Sequence, residues 1–486
     1  MLPKGDREYF QRVFRAAFTN PFSEERAELD RQLSGARVPG TPEQNLRMVI
    51  REVSRRVDAL ESACAATLRH FGGDELEIMR SVFLFDVFHR HMDDMDELIR
   101  AQVRAGDAPC AVPFAEDALA RLKRRGFNAV EAARYLGFFY QLRRAYYFID
   151  EGLVGRSPAM RELRKRLWQN VFTQDAGLYA RHLWNRMEDF STLLLGATGT
   201  GKGAAAAAIG RSGFIPFDET SGRFSESFTR NFIALNLSQY PETLIESELF
   251  GHRKGSFTGA IEHHQGVFSR CTPHGAILLD EVADVSIPVQ IKLLQVLQER
   301  TFSPVGSHER LRFRGRVIAA TNRPLDEYRR AGRFRDDLFY RLCSDVVLVP
   351  SLRSRIDEEP AELDLLIGHL AERTLGQAVP GVPEQIRRAL LRGLPADYPW
   401  PGNVRELEQG VRRVILTGAV RGEDAGAASR HHDPTAGLMA SDSVTARELL
   451  EGYCRSLYRR LGTYGAVARR AGLDRRTVKR YIAGDE

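Results

Sequence analysis

Along the first 150 positions apolar residues recur at three- and four-residue spacing, as in residues 42–69 and 115–149, with few β-branched alternations. That period lays an apolar stripe along a helix, so this part reads as all-α. From residue 191 the texture changes to short apolar runs separated by helical stretches. The runs 192–195, 232–237, 276–279 and 317–320 each stop where polar chemistry begins. Such alternation predicts an α/β core: a parallel sheet with helices on both faces and ligands outside the carboxyl ends of its strands. Helical spacing returns over 356–418. Residues 418–443, rich in Gly, Ala, His and Asp, have no period and read as a linker. The remaining tail is helical and basic.

Composition narrows the class without naming it. A chain of 486 residues is expected to hold about three domains. With 43% hydrophobic and 28% charged residues it has the balance of a globular protein. No apolar run approaches the roughly 18 residues that span a bilayer, and the start carries no segment of signal-peptide type. Five cysteines, scattered and without Cys-x-x-Cys pairs, suit a reducing compartment and argue against a disulfide framework or a zinc finger. The expectation is a cytoplasmic protein with no membrane contact. A net charge of +6 means that any nucleic-acid contact must come from a local patch.

The chemistry begins after the run 192–195. Gly196, Ala197, Thr198, Gly199, Thr200, Gly201, Lys202 and Gly203 stand between that strand and an alanine-rich helix, the context a phosphate loop requires. Glycines let backbone N–H groups close on phosphates, and the helix N-terminus adds positive potential. Lys202 would reach the β- and γ-phosphates of ATP. The strand 276–279 ends in Asp280-Glu281: Asp280 can hold Mg²⁺ through its water shell while Glu281 polarises an attacking water. The strand 317–320 ends in Thr321-Asn322, and Asn322 is either a γ-phosphate sensor or an ordinary strand-end Asn.

Between these motifs lies Glu246-Ser-Glu-Leu-Phe-Gly-His-Arg-Lys-Gly-Ser-Phe-Thr-Gly-Ala260. The run resembles the signature of the sigma-54-dependent transcriptional activators, bacterial enhancer-binding proteins of the AAA+ class. Further matches are Gly155-Arg-Ser-Pro-Ala-Met160, Gln290-Ile-Lys-Leu-Leu-Gln-Val-Leu-Gln298, Phe334-Arg-Asp-Asp-Leu-Phe-Tyr-Arg-Leu342 and Trp400-Pro-Gly-Asn-Val-Arg-Glu-Leu407. The resemblance covers residues 153–416 and implies an AAA+ ATPase with a helical lid, assembled into a ring that remodels the sigma-54 RNA polymerase holoenzyme. It implies that Gly255, Ser256, Phe257, Thr258, Gly259 and Ala260 form the mobile loop that touches the sigma factor. Flanking glycines would let such a hairpin swing, with Phe257 as an aromatic anchor and Thr258 at the tip. By the same resemblance Arg335 and Arg341 stand where arginine fingers reach a neighbouring subunit's γ-phosphate. Arg405 is the nucleotide sensor of the lid, and Asn236 holds the catalytic Glu281 in check. The domain order that follows is a helical regulatory domain (1–150), an AAA+ core (151–355), its lid (356–418), a linker (419–443) and a DNA-binding domain (444–486).

Several positions depart from the family. Gly203 stands where the family has Glu and other phosphate-loop proteins have Ser or Thr, so no side-chain hydroxyl there can ligate Mg²⁺. His274-Gly275 replaces a doubled glycine, Ser256 an alanine, Leu237 a cysteine, and Ser354 an acid. Residues 173–190 and 214–230 are longer than usual. In the tail, residues 455–482 hold nine Lys/Arg against one acid. Residues 465–481 read as helix–turn–helix and resemble a Fis-type DNA-binding domain, with Ala468, Leu473, Val478 and Tyr481 spaced to pack the helices. Arg475, Arg476, Thr477, Lys479 and Arg480 would face upstream double-stranded DNA, and 444–461 would supply a dimer contact, giving a dimer at rest and a hexamer when active. The front domain matches no receiver pattern. Its cluster Asp86, His89, Asp93 and Glu97, with His91 and Asp94, is a polar helix face or a metal site. The aromatic-rich segment 138–148 is core, a transmission helix or the wall of a small-molecule pocket.

Overall fold

The computed structural model describes the chain except residues 1, 3, 36–39, 65–66, 396, 420–449, 452, 456, 459–461 and 484–486. Two compact units result: Met1–Arg373 with Gly402–Glu408, and Thr374–Pro401 with Gln409–Glu486. No described helix is long and apolar enough to cross a membrane.

The first unit opens with α1 (Lys4–Phe18), α2 (Glu24–Ser34), α3 (Pro42–Cys64), α4 (Asp74–Arg90), α5 (Met92–Ala105), α6 (Ala115–Arg124), α7 (Ala129–Asp150) and α8 (Pro158–Phe172). The stretch read as helical over 115–149 is two helices. Gly126 takes φ +100°, which a side-chain-bearing residue rarely adopts, and Asn128 and Glu131 then cap α7 reciprocally. A second break, at His91, puts Asp86 and His89 on α4 but Asp93 and Glu97 on α5, so the four do not share one helix face.

Five parallel strands follow: β1 (Thr192–Leu195), β4 (Phe232–Asn236), β5 (Ala276–Asp280), β8 (Arg316–Thr321) and β9 (Asp345–Leu348), in the order β4-β5-β8-β1-β9. The first four match the apolar runs within a residue or two. The edge strand β9 was not foreseen, because its alternation of covered and exposed residues spans only four positions. Two antiparallel hairpins, β2 (Phe217–Asp218) with β3 (Arg223–Phe224) and β6 (Thr301–Phe302) with β7 (Leu311–Arg312), lie outside the sheet.

Strand side chains alternate between two cores. Leu193, Ile277 and Val317 pack with Leu293 and Leu338 on one face. Leu194, Leu278 and Ile318 belong to a core that runs without interruption through α8 and α7 to Phe10 in α1. The two longer-than-usual segments make this continuity. In 173–190 the fully buried Tyr179 accepts a 2.7 Å hydrogen bond from Gln141 of α7 and stacks on Phe138. In 214–230 the β2–β3 hairpin stacks Phe224 on Tyr140, centroids 4.2 Å apart, and the Gly222 carbonyl accepts from the Val112 amide.

The second unit holds helix Val382–Gly393, the later turns of Asn403–Thr417, and the pair Tyr464–Ala471 and Arg475–Ala483. The turn between that pair is made by Gly472 at φ +68°. Val467 and Val478 are buried between the two helices, with Ala468, Leu473 and Tyr481 packed against them, so the helix–turn–helix reading holds locally. The linker and most of the expected dimer helix lie outside the described residues.

Candidate active site

β1 delivers the phosphate loop at its carboxyl end, and helix Lys202–Gly210 begins directly after it. Gly199 and Gly201 take φ +79° and +107°. A Cβ on Gly199 would collide with the Gly402 carbonyl, so glycine is demanded there by space as well as by backbone. Lys202 is buried, and its Nζ donates to the carbonyls of Gly196 (2.9 Å) and Ala197 (3.2 Å). Burial pulls its pKa below the usual lysine value against the opposing pull of Glu281 and Asp280. The ammonium thus sits in a cradle of carbonyls that phosphate oxygens can replace. Around Gly203 nothing lies within 4 Å of where a Cβ would stand, so packing does not explain the missing side chain.

Parallel register brings the acidic pair beside the loop. Asp280 ends β5 opposite Asn236 of β4 and Ala320 of β8. Glu281 follows at φ +55°, a strained value for a non-glycine residue that turns its carboxylate toward β8. Glu281 Oε2 accepts from the Asn322 amide at 3.3 Å, and Asn322 Nδ2 donates to Thr198 Oγ1 at 2.6 Å. Asn322 therefore bridges the acidic pair and the phosphate loop. Asn236 Oδ1 accepts from Ser238 N and Oγ and so caps a short turn; no hydrogen bond to Glu281 is found among the described residues. For Mg²⁺ the donor set is thin. Gly203 has no hydroxyl to offer, so the Asp280 carboxylate would hold the ion together with phosphate oxygens and water. That set fits an ion held mainly through its hydration shell.

One residue of the site was missed. Asn403, buried at φ +53°, donates from Nδ2 to the Thr198 carbonyl (3.0 Å) and accepts the Leu352 amide at Oδ1 (2.8 Å). With Val404 N donating to Gly199 O, it ties Gly402–Glu408 onto the phosphate loop. Its sequence signal is the Trp400-Pro-Gly-Asn-Val-Arg-Glu-Leu407 motif, in which the resemblance assigns a role to Arg405 alone. Arg405 is exposed, its Cβ close to where a side chain on Gly199 would stand.

Gly255–Ala260 forms the tip of a hairpin whose base is the His252–His264 bridge. The tip is closed by Gly255 N donating to Ala260 O (2.8 Å), with Gly255 at φ +81° and Gly259 at φ +101°. Phe257 is 37% exposed, its ring against His252, and Thr258 is exposed. Arg335 is the N-cap of helix Asp336–Leu342 and Arg341 lies in its last turn. Arg335 pairs with Asp337 at 2.6 Å, and Arg341 donates to the Leu297 carbonyl at 3.0 and 2.9 Å; neither bonds the phosphate loop of its own chain. Arg475, Arg476, Lys479 and Arg480 are exposed on the last helix, with Thr477 half-buried.

In the front domain Asp86 is committed to structure. Its carboxylate accepts from Arg125 (2.7 Å), Arg90 (2.9 Å) and Ser54 (2.6 Å). Burial alone would raise its pKa; Arg125 and the hydrogen bonds from Arg90 and Ser54 outweigh it and hold the group below the usual value. Among the described residues no cluster of three or more His, Cys, Asp or Glu is placed to hold a metal ion.

A phosphate loop after a central strand, an acidic pair on the next strand but one, and a bridging Asn between them define a nucleotide-binding domain of the AAA+ class. Residues 173–347 match the Sigma-54 interaction domain family. The chain is 35% identical over 339 residues to the transcriptional regulatory protein ZraR of Klebsiella oxytoca, covering 67% of each. It is 40% identical over 276 residues to the anaerobic nitric oxide reductase transcription regulator NorR of Salmonella paratyphi C, 56% of this chain and 47% of that one. To the Nif-specific regulatory protein of Azotobacter vinelandii it is 36% identical over 273 residues, 56% and 46%. The chain belongs to the sigma-54-dependent transcriptional activators. It spans about half the length of most of these curated relatives.

Proposed function

We propose that the protein is a cytoplasmic, DNA-bound activator that hydrolyses ATP to remodel the closed sigma-54 RNA polymerase complex. The observation that carries this reading is the coexistence, in one domain, of the Lys202–Glu281–Asn322 constellation and an exposed Gly255–Ala260 hairpin. On ATP binding, Lys202 exchanges the Gly196 and Ala197 carbonyls for β- and γ-phosphate oxygens. Glu281 accepts a proton from the attacking water, which Asn322 helps to place beside the loop. Mg²⁺, held by Asp280, would supply charge neutralisation on those oxygens. Arg335 is the better candidate for a finger acting in trans. Its pair with Asp337 is exposed to solvent, which screens it, so releasing it toward a neighbour costs little. Arg341, bound to a main-chain carbonyl, braces the helix. This division of labour requires a homo-oligomer, which we read as a hexameric ring formed from resting dimers. Arg475, Arg476, Thr477, Lys479 and Arg480 would hold upstream double-stranded DNA.

The test is capture of sigma-54 by the full chain in ADP–aluminium fluoride, a mimic of the hydrolysis transition state. A stable complex is expected with wild type and none with Thr258→Ala, whose ATPase rate stays near wild type. Wild-type protein that hydrolyses ATP yet never captures sigma-54 would transfer the reading to another protein client. A Glu281→Ala chain that still activates transcription would make nucleotide a switch rather than a fuel.

A further inference from the structure

The N-terminal helices, with α8 and part of the 173–190 segment, line an open cavity of about 1580 Å³, larger than the roughly 300–1,000 Å³ of most small-molecule pockets. One wall is a face of α7, where Tyr135, Phe138, Phe139, Leu142 and Tyr146 recur at helical spacing. Phe85 and Phe88 of α4 and Trp168 of α8 continue the aromatic lining. The charge around it does not cancel. Arg26, Arg47 and Arg143 are paired with Asp30, Glu43 and Asp96, and Arg80 with Glu131. Among the described residues Arg51, Arg134, Arg156 and Arg181 also line the cavity without an ion pair, against Glu77 and Asp93, while Asp150, a further lining acid, pairs with Arg164 outside it. Guanidinium groups bind carboxylates and sulfonates and stack on flat rings, while the aromatic walls suit planar apolar surface.

The geometry points to a binding site for a planar, multi-ring aromatic anion in this cavity. Size, ring-lined walls and excess arginine together select that class over a neutral aromatic or a metal. The site is placed to act on the rest of the unit. The other side of α7 carries Gln141 and Arg144, which donate to the Ser212, Arg211 and Gly213 carbonyls just past the phosphate-loop helix. An occupant pressed against Phe138 and Leu142 therefore bears on the helix that begins with Lys202. Binding stands on the cavity alone; the effect on turnover rests on the ATPase reading.

The probe is 8-anilinonaphthalene-1-sulfonate, titrated into the full-length chain and followed by fluorescence. Saturable binding is expected at about one probe per chain. Leu142→Trp and Leu84→Trp, the latter on α4 where Leu84 also lines the cavity, each add an indole and should weaken it by at least about tenfold without lowering the melting temperature by more than a few degrees. Arg51→Ala with Arg134→Ala should weaken it by about fivefold or more, and the uncharged N-phenyl-1-naphthylamine should bind less tightly than the sulfonate. Probe affinity unchanged in both tryptophan variants overturns the site. Equal affinity for the neutral amine, or no loss in the arginine variant, overturns the anion class. In wild type the bound probe should change the ATPase rate, and in Leu142→Trp it should not. A chain that binds the probe but hydrolyses no ATP would sink the ATPase reading and leave the site standing.

Discussion

Replacing Arg144 with methionine should loosen the phosphate-loop helix from a distance. Arg144 is fully buried. Burial lowers its pKa to about 10, so it remains a cation at neutral pH. Its two terminal nitrogens donate to the carbonyls of Arg211 (2.6 Å) and Gly213 (2.7 Å), and its guanidinium lies 4.6 Å from the Tyr140 ring centroid. Those carbonyls close the C-terminal end of helix Lys202–Gly210, where the helix dipole favours a cation. Methionine keeps the apolar stem but leaves both carbonyls without their donor, at about 1–3 kcal/mol each. Relief of the buried charge returns part of that, for a net loss of about 2–4 kcal/mol. If residues 202–213 open locally, their amides should exchange hydrogen about 30- to 1000-fold faster in Arg144→Met, since each 1.4 kcal/mol is a factor of ten. Mass-spectrometric exchange on the full chain measures this directly. Exchange within about threefold of wild type would mean that α7 does not support the helix, and the coupling between front domain and phosphate loop would fall with it.

Four further outcomes follow from the same geometry. Glu281→Gln should keep ATP affinity while turnover falls by about 10²–10⁴, read by a binding isotherm beside a phosphate-release assay. Gly203→Ser should fit without strain, because the space is open. It should stabilise the helix start by up to about 1 kcal/mol and lower the Mg²⁺ concentration needed for half-maximal ATPase; an unchanged Mg²⁺ dependence would show that no side chain at 203 meets the ion. Asn403→Ala should weaken ATP binding, since two backbone partners lose a bond worth about 0.5–1.5 kcal/mol each, and an unchanged Kd would deny the tie between Gly402–Glu408 and the loop. The depressed Asp86 carboxyl contributes stability that is present above its unfolded pKa of about 3.9 and is lost as pH falls through the lower folded value. Acid unfolding of the front helices should accordingly move to higher pH in Asp86→Asn, followed by circular dichroism.

The strand ends were legible because they obey local rules. A buried strand must be apolar, and a phosphate loop must be glycine-rich and precede a helix, so 192–203 and 276–281 could be read from spacing alone. Residues 255–260 were legible for a different reason: fifteen consecutive residues resembled a known signature. What could not be read were contacts between positions far apart in the chain. Nothing in the sequence pairs Asn322 with Thr198, Asn403 with Leu352, or Arg144 with the Arg211 carbonyl, because side-chain hydrogen bonds leave no period. Asn236 shows the same limit: its Oδ1 caps the turn at Ser238, a contact that no spacing announces.

The two long segments, 173–190 and 214–230, show the division most clearly. By itself the sequence determined that they interrupt a nucleotide-binding domain, and that the 150 residues before it are helical. Only the tertiary structure decided that Tyr179 and Phe224 on those segments would dock on α7, joining the front helices and the sheet in one core. Periodicity fixes which face of an element is apolar, but not which other face it meets. That choice is made by shape and by the pairing of buried polar groups once the chain has closed.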